Sequence, residues 1–214
     1  MSLPTIPVDT IDDLIYDARA GDLDSLKTTI SELSASLQCT PAQVIAATVD
    51  AAPEAEGGTG CCLLHYPAAN GNSEILNYLL TTLTTQPSDQ TTQSILNHKN
   101  HSGNTPLHWA ALNTHLECVK ALVEAGADIA VTNDAGLDAV FLAERADWSA
   151  VEVNEATAGA ADQEESGEAE VEMKEGEEQV PPSKGRQVVE WLLSSEKGGE
   201  LESGVAEGES AKKQ

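Results

Sequence analysis

The chain repeats one pattern of apolar and polar positions four times, and each copy predicts two short helices joined by a turn. The most regular copy covers residues 100–132, where Leu107, Val119 and Leu122 hold the apolar positions. Less regular copies cover about 11–45, 58–98 and 133–148. A single copy is too small to bury its own apolar side, so neighbouring copies must stack. The pattern therefore predicts an all-α solenoid of about four helix-turn-helix repeats over residues 11–148.

The third copy contains the most specific motif. Its residues 103–111 read Gly-Asn-Thr-Pro-Leu-His-Trp-Ala-Ala and resemble the ankyrin consensus, and Gly136 follows Gly103 at the ankyrin period. The second copy aligns with the third, except for extra residues in the polar segment 81–100, which predict a loop insertion. The first copy lacks the Thr-Pro-Leu-His motif, as expected of a terminal capping repeat. The resemblance therefore predicts an ankyrin-repeat solenoid.

Individual residues in the motif have a physical role. Thr105 is suited to cap the inner helix of the third repeat, and Pro106 to begin it. We expect the ring of His108 to connect neighbouring turns by hydrogen bonds rather than to serve catalysis. In the second repeat, Cys62 replaces the capping threonine and Pro67 falls in the second turn of the helix. That proline predicts a kink, because it removes one helical hydrogen bond.

The pattern changes after residue 148. Residues 152–178 contain eleven acidic residues and one lysine but almost no large apolar side chains, so 149–184 is predicted to be an acidic disordered insertion. Residues 186–196 again read as a helix, which we expect to complete the fourth repeat through Val189, Leu192 and Leu193. Alternatively, the array ends near residue 147 and this helix is independent. Residues 1–10 are predicted to be a flexible N-terminus and 197–214 a disordered tail.

Charge narrows the class of partner. The formal net charge is -25, from 36 acidic and 11 basic residues, and both the repeats and the C-terminal region are acidic. Such a chain repels nucleic acid and attracts basic proteins, so we expect no direct contact with nucleic acid. We also expect no membrane association, because no apolar run is long enough for a span. The four cysteines are too few and too irregularly spaced for a disulfide framework, which favours a reducing compartment.

No catalytic motif is present. The chain has no phosphate loop, dinucleotide fingerprint or nucleophile elbow, so we expect no enzyme activity and no cofactor. His98 and His101 are spaced for metal binding but lack a cysteine partner at zinc spacing. Cys62 and His65 are three residues apart, yet nothing in the sequence orients the histidine as a base. We expect neither pair to form a metal or catalytic site.

Three segments together carry a narrower resemblance. Residues 17–27, 103–110 and 136–141, with an acidic C-terminal region, resemble the fungal ankyrin-repeat chaperones of ribosomal protein S-three. The resemblance implies a dedicated chaperone, present in the cytoplasm and the nucleus, that keeps a newly made basic small-subunit ribosomal protein soluble and delivers it for ribosome assembly. We expect a monomer that forms a hetero-complex through a basic N-terminal helix of that protein. The long acidic insertion departs from the family pattern. The alternative is a generic ankyrin adaptor or a regulatory subunit in transcription or signalling.

Ankyrin arrays bind partners on the concave side formed by turn tips and inner helices. A basic amphipathic helix there would place its apolar side on Trp109 and Leu112, while Asp134 and Asp138 meet its basic side chains. Alternatively, Trp109 belongs to the core. The predicted binding residues are Asp13, Asp17, Tyr66, Asn70, Asn104, Trp109, Leu112, Asn113, Asp134, Leu137 and Asp138.

Overall fold

The computed structural model describes residues 3–85, 89–158 and 182–195, with side chains for all of these except 89–91 and 149–158. Within these ranges the chain forms ten α-helices. They are α1 (Val8–Ala20), α2 (Leu23–Ser36), α3 (Pro41–Ala47), α4 (His65–Asn70), α5 (Ser73–Thr84), α6 (Asp89–Leu96), α7 (Pro106–Leu112), α8 (Leu116–Glu124), α9 (Ala139–Ala158) and α10 (Lys184–Ser194). A short 3-10 helix, Glu54–Glu56, lies between α3 and α4. The described residues contain no β-strand, which confirms the all-α prediction.

The helices stack in two rows. The inner row runs α1, α4, α7 and α9, and each of these helices packs against the next. The outer row contains α5, α8 and α10, again in contact one after another. The core between the rows is almost entirely aliphatic, with fully buried leucines such as Leu14, Leu64, Leu76 and Leu107. Small residues, such as Ala68 and Ala110, are buried where inner helices approach closely.

The first repeat differs from the predicted two helices. The helix α3 is an additional element that packs between α2 and α5. It begins with a capping box, because Thr40 Oγ1 accepts from the N–H of Gln43 while Gln43 Oε1 accepts from the N–H of Thr40. The described part of the N-terminus predicted to be flexible, residues 3–10, is not flexible throughout, since α1 begins at Val8 and Ile6 is only 7% exposed. Ile6 is part of the hydrophobic core.

The second repeat corrects two further expectations. The kink predicted at Pro67 is wrong, because α4 begins only at His65. The proline therefore lies in the first turn, where a backbone N–H needs no helical partner. The loop predicted in 81–100 instead contains α6, and Ile95 and Leu96 on this helix are buried in the core. These two apolar residues connect the extra helix to the core.

The fourth repeat is completed by a helix from far along the chain. The helix α10 packs against α9 and α8, with Val188 and Leu192 fully buried. Leu193, which we expected to pack on the array, is 37% exposed. The helices α9 and α10 approach closely at Gly185, where an added Cβ would lie 2.8 Å from the Cβ of Asp147. This close approach requires glycine.

The boundary predicted at residue 148 also differs, because α9 continues to Ala158. The predicted insertion over 149–184 therefore begins within a helix. Its central part, 159–181, lies outside the described residues, and so does the whole of the predicted tail over 197–214.

Candidate partner-binding surface

Two buried histidines, His65 in α4 and His108 in α7, connect each repeat to the next. The Nε2 atom of His65 lies 3.0 Å from the carbonyl oxygen of Asn104, and that of His108 lies 3.0 Å from the carbonyl oxygen of Leu137. Because a carbonyl only accepts, Nε2 donates in both rings and Nδ1 is the acceptor. Burial lowers the pKa of His65 to about 4 and also lowers that of His108. The predicted linking role of His108 is confirmed, and His65 repeats it.

The same position of each inner helix carries a large side chain. Each of the helices α1, α4 and α7 is followed by a residue with positive φ. The residue five positions before it is Tyr16, Tyr66 or Trp109, respectively. Leu142 occupies the equivalent position of α9, one ankyrin period after Trp109. Tyr16 is 71% exposed, Tyr66 and Trp109 are half-buried, and Leu142 is buried. We call the side of the array that carries these four residues the inner-helix surface. Sequence reasoning missed Tyr16 and Leu142, although the repeat register points to both.

One cavity on this surface, which we call the Trp109 cavity, has a volume of about 260 Å³. It brings together three of the predicted binding residues, Tyr66, Asn70 and Trp109. The residues that line it are Arg19, Thr59, Cys61, His65, Tyr66, Ala69, Asn70 and Trp109. The indole Nε1 of Trp109 is buried and has no hydrogen-bond partner among the described residues. The amide Nδ2 of Asn70 is engaged, because it donates to the carbonyl of Arg19 over 3.2 Å.

A second cavity, which we call the Leu137 cavity, has a volume of about 610 Å³ and lies between the third and fourth repeats. It brings together four more of the predicted residues, Asn104, Leu112, Asp134 and Leu137. The residues that line it are Ser102, Asn104, Leu112, Asn133, Asp134, Ala135, Leu137, Leu142, Arg145 and Ala146. Its walls thus combine apolar side chains with a carboxylate at the turn.

The other four predicted residues line neither cavity. Asp13 is exposed on α1, and Asp17 is half-buried one turn later. Asn113 Nδ2 donates to the carbonyl of Ala69 over 3.0 Å and so connects the third repeat to the second. Asp138 caps α9, since its Oδ1 accepts from the backbone N–H of Phe141 over 2.8 Å. For Asn113 and Asp138 the structure therefore shows a structural role.

A carboxylate missed by the sequence reasoning lies beside the Trp109 cavity. Asp50 Oδ2 accepts from the N–H of Thr59 over 2.6 Å and from its hydroxyl over 2.7 Å. Burial favours the neutral acid, but these bonds and one from Ala52 hold the pKa of Asp50 below its usual value. Burial, reinforced by nearby Asp50, raises the pKa of Tyr66 to about 12. At neutral pH the cavity is thus bordered by a carboxylate and a neutral phenol.

The residues considered for catalysis or metal binding have structural partners. Cys62 is fully buried 3.2 Å from Nδ1 of His65, and burial raises the pKa of its thiol to about 12. Its thiolate is therefore scarce at neutral pH, which opposes nucleophilic chemistry. Nε2 of His98 donates to the carbonyl of Gly60, and Nδ1 of His101 lies 3.0 Å from that of Gly58. The described residues contain no group of three or more side chains placed to hold a metal ion.

None of the described helices combines the length and the apolar character that a membrane span requires.

The comparisons with known proteins agree with the stacked architecture. Residues 14–133 match the family of ankyrin repeats in three copies. The chain belongs to the ankyrin-repeat family. It is also 35% identical over 155 residues to the ankyrin repeat-containing protein YAR1 of Saccharomyces cerevisiae. The alignment covers 71% of this chain and 72% of YAR1. The ankyrin fold predicted from the 103–111 motif is thereby confirmed.

A comparison with solved structures also finds a yeast Yar1 structure similar to this ankyrin-repeat protein. It is similar to a chain in a crystal structure described as the yeast ribosomal protein Rps3 in complex with its chaperone Yar1. The TM-score is 0.57 at 33% sequence identity, and the match covers 75% of this chain and all of that one. The resemblance to the fungal chaperones of ribosomal protein S-three is thus supported by both sequence and structure.

Proposed function

We propose that this ankyrin-repeat protein is a dedicated chaperone of an Rps3-type ribosomal protein. It binds the newly made protein, keeps it soluble and delivers it for assembly of the small ribosomal subunit. The observation that carries the proposal is the similarity to yeast YAR1 over about seven-tenths of both chains, together with the match to the Yar1 complex with Rps3. The charge supports it, because a free ribosomal protein exposes basic side chains that an acidic binder can cover.

We place the binding site on the inner-helix surface. The Trp109 and Leu137 cavities lie along it, so a bound helix could seat apolar side chains against Trp109 and Leu112. Exposed carboxylates border it, including Asp13 on α1 and Asp134 in the turn before α9. A basic amphipathic helix, such as the N-terminal helix inferred for the partner, matches both properties. In this arrangement the apolar contacts supply most of the affinity, and the carboxylates supply selectivity and speed of association.

The proposed activity is binding rather than catalysis. The buried thiol of Cys62 is protonated at neutral pH, and Nε2 of His65 donates to the next repeat. Both facts favour a structural role for this pair. We also propose that the protein acts in the cytoplasm and the nucleus as a monomer that forms a hetero-complex, since its cargo is made in one compartment and assembled in the other.

Native purification of the tagged full-length chain, followed by mass spectrometry, tests the identity of the partner. We expect an Rps3-type ribosomal protein as the main co-purifying species. A second assay mixes the purified ribosomal protein with the chaperone and measures light scattering during dilution from denaturant. Scattering should fall as the chaperone approaches equimolar amounts.

The double variant Trp109→Ala with Asp134→Ala tests the site. We expect Kd for the ribosomal protein to rise at least about tenfold, since buried aromatic anchors dominate interfaces. The matched control is Leu193→Ala with Glu124→Ala, which also removes one large apolar and one acidic side chain, both exposed on the outer row. Equal affinities of the two double variants, both folded by circular dichroism, would refute the site. Recovery of a partner that is not basic would instead support a generic adaptor or a regulatory subunit.

A further inference from the structure

One cationic side chain lines the Trp109 cavity of this strongly acidic protein. Arg19, in the last turn of α1, is exposed, and its guanidinium makes no hydrogen bond or ion pair with any described residue. Other basic residues do have partners: Lys120 pairs with Glu117 at 2.9 Å, and Arg186 pairs with Glu190 at 3.0 Å. Arg19 is also close enough to Tyr66 to act on its hydroxyl electrostatically. A basic side chain therefore lies where a basic partner is expected to bind.

The same wall holds a second donor without an acceptor. The indole N–H of Trp109 is buried and unpaired in the described structure. Asp50, the carboxylate beside the cavity, accepts three hydrogen bonds from Thr59 and Ala52 and forms no ion pair with Arg19 in the described structure. The cavity thus carries one cationic side chain, and the indole N–H in its wall is buried without a partner. A group that carries negative charge and accepts hydrogen bonds complements the guanidinium of Arg19.

We propose that the Trp109 cavity receives a carboxylate side chain of the bound protein segment, and that this carboxylate pairs with Arg19. The inference rests on the proposed function, because it concerns the same surface and the same partner. A helix lying over the cavity removes water from the guanidinium, and a desolvated charge without a counter-ion opposes binding strongly. The partner must therefore present an aspartate or glutamate at this point.

The pair determines how the partner binds. A basic amphipathic helix has similar attraction to an acidic surface in several registers and in both directions. A single reversed charge pair makes one register and one direction favourable, because every other placement leaves Arg19 facing a basic side chain or none. Arg19 is thus a specificity-determining residue, while the surrounding carboxylates supply attraction that depends little on register.

The carboxylate pairing predicts whether removal of the Arg19 charge tightens or weakens binding of the partner. On a uniformly acidic surface, removing Arg19 would make the protein more negative and tighten the binding of a basic partner. Our proposal predicts the opposite: Arg19→Gln should raise Kd for the Rps3-type protein by about tenfold or more. Lys120→Gln is the matched control, since it makes the same change of net charge on the outer helix α8. It should leave Kd within about twofold or tighten it.

A double-mutant cycle identifies the carboxylate. Each Asp and Glu in the bound segment, mapped by hydrogen exchange on the full complex, is changed to its amide and combined with Arg19→Gln. One amide variant should weaken binding to the wild-type chaperone but not to Arg19→Gln. The charge exchange, Arg19→Glu against Arg at that partner position, should restore at least about tenfold of the lost affinity. Coupling only to the terminal carboxylate, or to no acidic residue, would overturn the proposal.

The outcome separates the inference from the proposed function. If wild type binds the ribosomal protein and the Trp109→Ala, Asp134→Ala variant does not, the function and site stand. Tighter or unchanged binding by Arg19→Gln would then refute only the carboxylate pairing. If wild type does not bind the ribosomal protein at all, the proposed function fails and the pairing fails with it. Equal melting temperatures of Arg19→Gln and Lys120→Gln would exclude unfolding as the cause of weaker binding.

Discussion

Mild acid should weaken the connection between the second and third repeats through His65. In the folded protein the pKa of this buried imidazole is about 4, whereas in the unfolded chain it returns to about 6.5. The unfolded state therefore binds more protons between these two values. The stabilisation is complete above about pH 6.5, is lost progressively as the pH falls towards 4, and changes no further below that. His108 changes in the same direction, because burial lowers its pKa as well.

The size of the effect follows from the two pKa values. One pKa unit corresponds to about 1.4 kcal/mol, so the complete change for His65 is about 3 kcal/mol of unfolding free energy. Between pH 7 and pH 5.5 the unfolded imidazole becomes mostly protonated while the folded one remains neutral, which costs about 1 kcal/mol. Protonation of the many carboxylates reduces their mutual repulsion and acts in the opposite direction. The contribution of His65 therefore has to be measured as a difference between proteins.

The assay is urea unfolding followed by circular dichroism at several pH values. The comparison is between wild type and His65→Gln, which keeps a hydrogen-bonding amide but cannot titrate. Between pH 7 and pH 5.5 the unfolding free energy of wild type should fall by about 1 kcal/mol more than that of His65→Gln. His101→Gln is the control, because His101 is exposed. The reasoning is refuted if wild type and His65→Gln lose the same free energy over this range.

Three further predictions concern packing, backbone and thiol chemistry. Leu192→Ala should cost about 2–5 kcal/mol in chemical unfolding and Leu193→Ala less than about 1, because only Leu192 is fully buried; equal costs would mean that α10 is not docked. Gly103→Ala should destabilise more than Gly136→Ala by at least about 1 kcal/mol in the same assay. Both glycines have positive φ, but a Cβ at Gly103 collides with the next turn while one at Gly136 meets nothing; a smaller loss at Gly103 would contradict this. Cys62 should resist a thiol reagent at pH 8 until the protein unfolds, as measured by peptide mass spectrometry; rapid labelling of the native protein would refute its burial.

The stacked helices were predictable because each repeat carries its own local signals. The cap at Thr105, the proline after it and the alternation of small and large apolar residues fix the inner helix of the third repeat without reference to distant contacts. The role of His108 followed from the same motif. The residues of the proposed binding surface could be chosen for the same reason, because turn tips and exposed inner positions recur in register. The two cavities contain seven of the eleven residues predicted to bind the partner, and their role in binding stays a prediction.

What the sequence did not reveal depends on tertiary contacts. The docking of α6 relies on two apolar residues, Ile95 and Leu96, whose burial is visible only once α3 is in place. The start of α4 at His65 depends on the turn that precedes it. The expectation that a proline kinks a helix does not include the position of that start. Asn113 reads as an exposed binding residue, but its side-chain amide donates to the second repeat. Arg19 was missed because nothing in the sequence indicates that a residue of the first repeat lines the Trp109 cavity.

The split of the fourth repeat has a consequence for synthesis on the ribosome. The helix α9 ends at Ala158, and its outer companion α10 begins at Lys184, so about 25 residues must still be translated between them. At ~5–20 residues per second this takes roughly 1–5 seconds, during which the site for Val188 and Leu192 has no occupant. The ribosome tunnel delays α10 further. Each nascent chain therefore passes through a stage with three complete repeats and an open apolar end, and only the last part of translation closes it.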